Sequence, residues 1–178
     1  MISETELIQA CKEHDRSAQK MLFEKYADKM MAVCMRYCKN KEDARDLLHD
    51  GFYKVFINIK SFKGESKIDT WMTRLFINLA LNKLRHGRTK YYHDEFEAKH
   101  EPSFLPTEES SNKYNIEPNV VLDALKQLPD IYEIVLNMYA IDNMSHKEIA
   151  SELGISVGSS KSRLSRGRVL LNTILKRK

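Results

Sequence analysis

The sequence predicts an all-α protein of two small helical domains, an N-terminal helical bundle and a C-terminal helix-turn-helix domain, joined by a flexible linker. Three observations carry this. The 178 residues include only four prolines and six glycines, so little interrupts the 3.6-residue apolar spacing at either end of the chain. Residues 89–117 lose that spacing and gather Pro102, Pro106 and a polar run from Thr107 to Asn112. Such a stretch, about 29 residues, is too long for a plain loop within one compact domain. Charge divides at the same places. Residues 1–88 hold 17 Lys+Arg against 12 Asp+Glu, residues 89–117 hold 3 against 7, and residues 118–178 hold 9 against 6. Two mildly basic blocks flank an acidic middle, a pattern that suits two nucleic-acid-facing modules.

Composition narrows the function classes. Hydrophobic residues make up 42% and charged residues 30%, ordinary for a core-forming protein. No apolar run reaches the roughly 18 residues of a membrane span, and the polar N-terminus lacks a signal-peptide core. The expectation is a cytoplasmic protein with no membrane insertion. Three cysteines, Cys11, Cys34 and Cys38, are too few and too odd in number for a disulfide framework. Cys34 and Cys38 sit at i, i+4, but no histidine or further cysteine completes a metal set, so buried reduced thiols are expected. No nucleotide loop, metal cluster or catalytic dyad is present. The sequence predicts no cofactor, no metal, no catalytic residues and no enzyme activity.

Taken in order, Ser3-Glu-Thr-Glu6 reads as a capping box that opens a short helix to about His14. A longer helix from about Ser17 carries Met21, Leu22, Tyr26, Met30, Val33, Cys34, Tyr37 and Cys38 on its apolar side. Asn40 caps a third, Lys41–Lys60, with Ala44, Leu48, Phe52, Val55, Phe56 and Ile59 on one buried face. Its opposite side carries Asp43, Asp46 and Asp50 at i, i+3 and i+7, with Leu47, Lys54 and Ile57 beside them. Acids side by side repel. Next to exposed aliphatics they suit a docking stripe for a basic partner; a solvated acidic face near a helix N-terminus is the plainer alternative.

The loop Ser61–Asp69 follows, with Phe62, Lys63, Gly64 and Lys67, the aromatic and basic make-up of a strand-gripping loop. From Trp71 onward Met72, Leu75, Phe76, Ile77, Leu79, Ala80, Leu81 and Leu84 cover most of a helix. One strip stays polar, Arg74, Asn78, Asn82 and Arg85 at i, i+4, i+8 and i+11. A helix this apolar is normally buried, and arginine and asparagine are suited to phosphates and base edges. A merely solvated strip is the alternative.

Beyond the linker, Pro118 opens a helix through Leu128 and Pro129 opens Asp130–Ile141. Ser145-His-Lys-Glu148 is a second capping box, starting Ser145–Leu153. Gly154 permits a left-handed turn, and Ser156 starts the last helix, to about Lys176. Helix, glycine turn and helix, with Ala150 four residues before Gly154, is a helix-turn-helix signature. On the last helix Val157, Leu164 and Leu171 are expected to point inward, and Ser159, Ser162, Arg163 and Arg166 outward.

In combination these segments resemble one family. KEDARDLLHDGFYKVF, Lys41–Phe56, resembles the polymerase-binding segment of bacterial sigma factors. FKGESKIDTWMTRLFINLALNKLR resembles their −10 promoter segment, and the stretch from Leu128 to Leu171 resembles their −35-binding domain. The two-domain layout is similar to the extracytoplasmic-function (ECF) group of the sigma-70 family. The resemblance implies a sigma factor that binds core RNA polymerase and directs initiation at −10 and −35 elements. It implies that Asp43, Asp46, Leu47 and Asp50 face the polymerase clamp of the β′ subunit, with the flap of β as a further contact. Phe62, Lys63 and Lys67 would hold a flipped −10 base, Asn78 and Asn82 would read the non-template strand, and Arg74 and Arg85 would meet phosphates. Ser159, Lys161, Ser162, Arg163 and Arg166 would lie at the −35 major groove. The implied layout is domain 2 over 1–88, an acidic linker over 89–117 and domain 4 over 118–178, in a monomer that an anti-sigma factor could hold. Gly51 stands where the family often has a bulkier residue, and Ser159-Ser160 replace the usual Thr-Val; Ser160 falls on the inward side of the recognition helix, which predicts that this helix packs loosely. The rivals are a helix-turn-helix regulator that binds DNA without polymerase, and a helical protein that sequesters a partner through the acidic stripe.

Overall fold

The computed structural model describes residues 2–87 and 117–177, with side chains for all of these but 85–87, 118 and 119. Every regular element among them is helical. They fall into two compact units, residues 2–87 and 117–177. The expected linker, Glu117 apart, lies outside the described residues.

In the first unit α1, Glu4–Lys12, starts at the Ser3 capping box, with Ser3 N donating to Glu6 Oε2 at 2.7 Å. Asp15 caps α2, Arg16–Tyr37, by accepting from Ala18 N at 2.8 Å. Asn40 caps α3, Lys41–Asn58, by accepting from Asp43 N at 2.8 Å. Each side-chain oxygen satisfies a first-turn N–H that has no helical acceptor. Past Asn58 the chain tightens into a 3₁₀ turn, Ile59–Ser61, and α4 runs from Ile68 to Gly87. Helix α2 packs against α1, α3 and α4, and α3 also packs against α4.

The core of this unit is wholly apolar. Leu22, Met30, Leu47, Val55, Ile59, Ile68, Met72, Phe76 and Ile77 are buried almost completely, each contributing about 1.5–3 kcal/mol relative to exposure. Phe52 is its hub, with ring centroids 4.6 Å from Phe23 and 5.6 Å from Phe76. Gly51 explains how α3 and α4 come so close: a Cβ there would stand 2.2 Å from Phe76 Cε1. The bulk absent at position 51 is supplied by the Phe76 ring.

In the second unit α5 spans Pro118–Leu125, with proline in its first turn, and α6 spans Asp130–Leu136. The chain then widens into a π turn, Asn137–Ile141, closed by Asp142 N donating to Asn137 O at 3.0 Å. Helix α7, His146–Leu153, begins at the Ser145 capping box and ends on Gly154 at φ 67°, the left-handed geometry that favours glycine. Ser156 then caps α8, Val157–Leu175. Helix α8 packs against α5, α6 and α7. Gly167 lets α6 approach it, since a Cβ there would meet Leu136 Cδ1 at 2.8 Å.

Three details of the sequence reading change. The helix expected through Leu128 ends at Leu125. Val157 is 39% exposed rather than inward, while Leu164 is buried. Ser160 does face inward, fully buried, but its Oγ lies 2.9 Å from His146 Nδ1. A polar partner waits for it, so the recognition helix is seated and not loose.

Candidate functional site

Three surfaces carry the residues singled out from the sequence. On α3, Asp43, Asp46 and Asp50 are all exposed along one side. Asp43 is already used locally, its Oδ2 accepting from Asn40 Nδ2 at 2.8 Å. Asp50 accepts Lys83 of α4 at 2.5 Å, with roughly half of each side chain exposed. A surface pair of this kind contributes about 0–1 kcal/mol, so a stronger partner can displace it at little cost. Leu47 departs from the expectation. It is fully buried, on the floor of a cleft of about 280 Å³ whose walls include Tyr37, Asp43, Asp46, Lys83 and Leu84. Its position between two stripe acids in sequence suggested exposure, but the α3–α4 contact covers it.

The second surface lies on α4. Arg74, Asn78 and Asn82 are exposed, while Met72, Phe76, Ile77, Ala80 and Leu81 are buried around them. Buried neighbours on both sides fix the direction of the strip, so its side chains project from a rigid element. The side chain of Arg85 lies outside the described residues. The start of α4 is tied to α2 by Lys29 Nζ, 2.5 Å from Asp69 Oδ2, and this hydrogen bond holds the Asp69 carboxyl below its ordinary pKa.

The loop before α4 keeps Lys63 and Lys67 exposed, and Gly64 adopts φ 79°. Phe62 is corrected here. It is 7% exposed, its ring centroid 5.6 Å from that of Trp71, and its carbonyl accepts Lys12 Nζ at 2.8 Å. Composition marked it as a stacking platform, yet it anchors the loop to the bundle. Trp71, half-buried, is the aromatic with surface left at the loop edge.

On the third surface, Lys161 is exposed and Ser159, Ser162, Arg163 and Arg166 are half-buried along α8. Ser156 Oγ donates to Ser159 Oγ at 3.0 Å and accepts Ser159 N at 3.0 Å, so Ser159 is bound into the cap of its own helix. Residues after Glu152 include no acid, and the whole face of α8 is therefore cationic or neutral.

The remaining chemistry is quiet. Burial pushes the Cys34 thiol up to about 12 and the Cys11 thiol up to about 11, which suppresses thiolate chemistry. Among the described residues no group of three His, Cys, Asp or Glu could hold a metal ion. None of their helices is long and apolar enough to cross a membrane.

Comparison with known proteins accounts for both units. Sigma-70 region 2 matches residues 22–89, which include the acidic stripe and the polar strip, and sigma-70 region 4 matches residues 119–171. The chain is 29% identical over 177 residues to the ECF RNA polymerase sigma factor SigW of Bacillus subtilis, covering 95% of each. The chain belongs to the ECF group of the sigma-70 family. It is a sigma factor, directing transcription initiation. It is also 28% identical over 170 residues to the ECF RNA polymerase sigma-E factor of Escherichia coli, covering 91% of this chain and 88% of the other. Its fold is similar to that of the sigma factor RpoE solved with the anti-sigma factor NepR from Bartonella quintana. That match has a TM-score of 0.59 and 19% identity, over 88% of this sigma factor and 96% of that chain. CnrH, solved with the cytosolic domain of CnrY, matches with a TM-score of 0.55 and 17% identity, over 97% and 96% of the two chains.

Two residues with evident roles escaped the sequence reading. Lys83 sits one position from the polar strip, and only the packing of α4 on α3 brings it to Asp50. His146 lies inside a capping box whose signal comes from Ser145 and Glu148. Its bond to Ser160 joins two helices that periodicity treats separately.

Proposed function

We propose that this sigma factor docks on core RNA polymerase through Asp43, Asp46 and Asp50, and reads two promoter elements with separate domains. Domain 2, residues 1–88, takes the opened −10 non-template strand on Arg74, Asn78 and Asn82, with Arg85 at the far end and Lys63 and Lys67 beside it. Residues 89–117 are the linker. Domain 4, residues 118–178, puts Ser159, Lys161, Ser162, Arg163 and Arg166 against the −35 duplex. The observation that carries this reading is the α4 strip: donors exposed at i, i+4 and i+8 on a helix whose Met72, Phe76, Ile77, Ala80 and Leu81 are buried. Such a strip is pre-organised, so little ordering entropy opposes binding.

Flipping and unpairing a base costs a few kcal/mol, and base stacking on an aromatic returns about 1–3 kcal/mol. With Phe62 buried, Trp71 is the stacking surface at hand. Neither DNA face is basic enough for tight binding alone, so recognition follows when polymerase holds both domains at the promoter spacing. The two similar folds solved with anti-sigma partners support a like partner for this chain. It acts in the cytoplasm and supplies no catalysis of its own.

Asp46→Lys/Asp50→Lys tests the docking reading. Its affinity for core polymerase should fall by about 2–5 kcal/mol, with the thermal melt shifted little because both positions are exposed. Unchanged affinity removes the acidic stripe from the interface.

A further inference from the structure

The second unit holds a cationic cluster that shares Lys161 with the expected −35 face and adds two residues not assigned to it, His146 and Arg168. The His146 ring, half-buried, stacks on Tyr139 with centroids 4.7 Å apart and planes 24° from parallel. Its Nδ1 is tied to the buried Ser160 hydroxyl at 2.9 Å, which leaves Nε2 for another partner. The Arg168 guanidinium lies 5.7 Å from the Tyr139 ring centroid. The groups facing the imidazole are neutral Tyr139 from the π turn and, from α8, neutral Ser160 and the cations Lys161 and Arg168. No carboxylate of the described residues acts on it. Burial first, then Lys161 and Arg168, hold its proton affinity below the ordinary histidine value. Three groups that are or can become cationic thus converge without an acid between them, and an anion relieves that repulsion.

We propose that His146 is a proton-linked phosphate contact of the helix-turn-helix, binding a backbone phosphate of duplex DNA as its imidazolium together with Lys161 and Arg168. The inference rests on the reading of the second unit as DNA-binding. On protonation from solvent both ring nitrogens donate: Nδ1–H to Ser160 Oγ and Nε2–H to a phosphate oxygen. The phosphate favours the charged ring, so the histidine pKa is higher in the complex than in the free protein. Binding then takes up a proton. Affinity rises as pH falls through the bound-state pKa, and levels off below the free-state one.

The test uses the full chain and a short mixed-sequence DNA duplex at fixed ionic strength. The His146 ring is titrated by NMR with and without DNA, and binding is measured across the same pH range. The duplex should raise the His146 pKa, and affinity should be roughly fivefold greater at about pH 5.5 than at about pH 8, each unit of pKa change corresponding to tenfold. His146→Phe keeps a ring against Tyr139 and should lose this dependence. Ser160→Val unties the ring but leaves its proton, and should shrink the pKa change; a change of equal size removes the positioning role given to Ser160. Duplex binding with an unmoved His146 pKa, or with equal pH dependence in His146→Phe, overturns the inference alone. No duplex binding at any pH, by the free chain or with core polymerase, overturns the DNA-binding reading and the inference with it.

Discussion

Helices α4 and α8 both carry the polar residues proposed to meet DNA, yet they are held in different ways. Helix α4 is seated by hydrocarbon: Met72, Phe76, Ile77, Ala80 and Leu81 are buried around its strip, and the Phe76 ring fills the space left by Gly51. Helix α8 is seated by few large residues. Leu164 is buried, Val169 and Leu170 are 47% and 39% exposed, and a buried serine bonded to a histidine takes an inward position. The difference teaches what each helix can tolerate. A close-packed apolar seat fixes direction and punishes any added atom. The α8 seat includes a buried hydrogen bond and, at Gly167, a leucine end that can rotate, so it yields more readily to a small added group.

The largest expected effect lies in the first unit. Gly51→Ala places a methyl group 2.2 Å from Phe76 Cε1, and should destabilise that unit by about 1–3 kcal/mol in denaturant melts. Phe76→Leu in the same chain should recover part of the loss, a coupling that a double-mutant cycle reads directly. Strict additivity of the two would break the account of α3–α4 packing.

Gly167→Ala, the matching change in the second unit, should do much less. The new Cβ meets Leu136 Cδ1 at 2.8 Å and Tyr132 Cβ at 3.2 Å, and the leucine end can rotate. Alanine also gains about 0.8–1 kcal/mol of helix propensity over glycine. A net change within about 1 kcal/mol of zero is expected from the unfolding of the second unit. A loss as large as that at Gly51 would mean that the two seats are equally rigid.

Much of this contrast was legible in the sequence. The caps at Ser3, Asn40, Ser145 and Ser156 were read from local chemistry, and the α4 strip from spacing alone, because a single helix determines both. Leu47 and Phe62 were misplaced because burial depends on what packs above a residue. Leu47 shares a stretch of α3 with exposed acids, but its own direction leads into the α4 contact. Phe62 stands in a polar loop that folds it back against Trp71. Ser160 was placed inward correctly, but its consequence was missed, since the partner His146 lies 14 residues away. The pairing of Asp50 with Lys83 was invisible for the same reason.

The most direct test of the central claim, that two weak DNA faces become a promoter reader when polymerase holds them, is start-site mapping. Purified chain would be added to core polymerase on fragmented genomic DNA, and transcript 5′ ends sequenced. The expected result is a set of starts, absent without the chain, that share a −10 and a −35 motif at one fixed spacing. Tight sequence-specific DNA binding without polymerase, together with no transcript that depends on the chain, would contradict it.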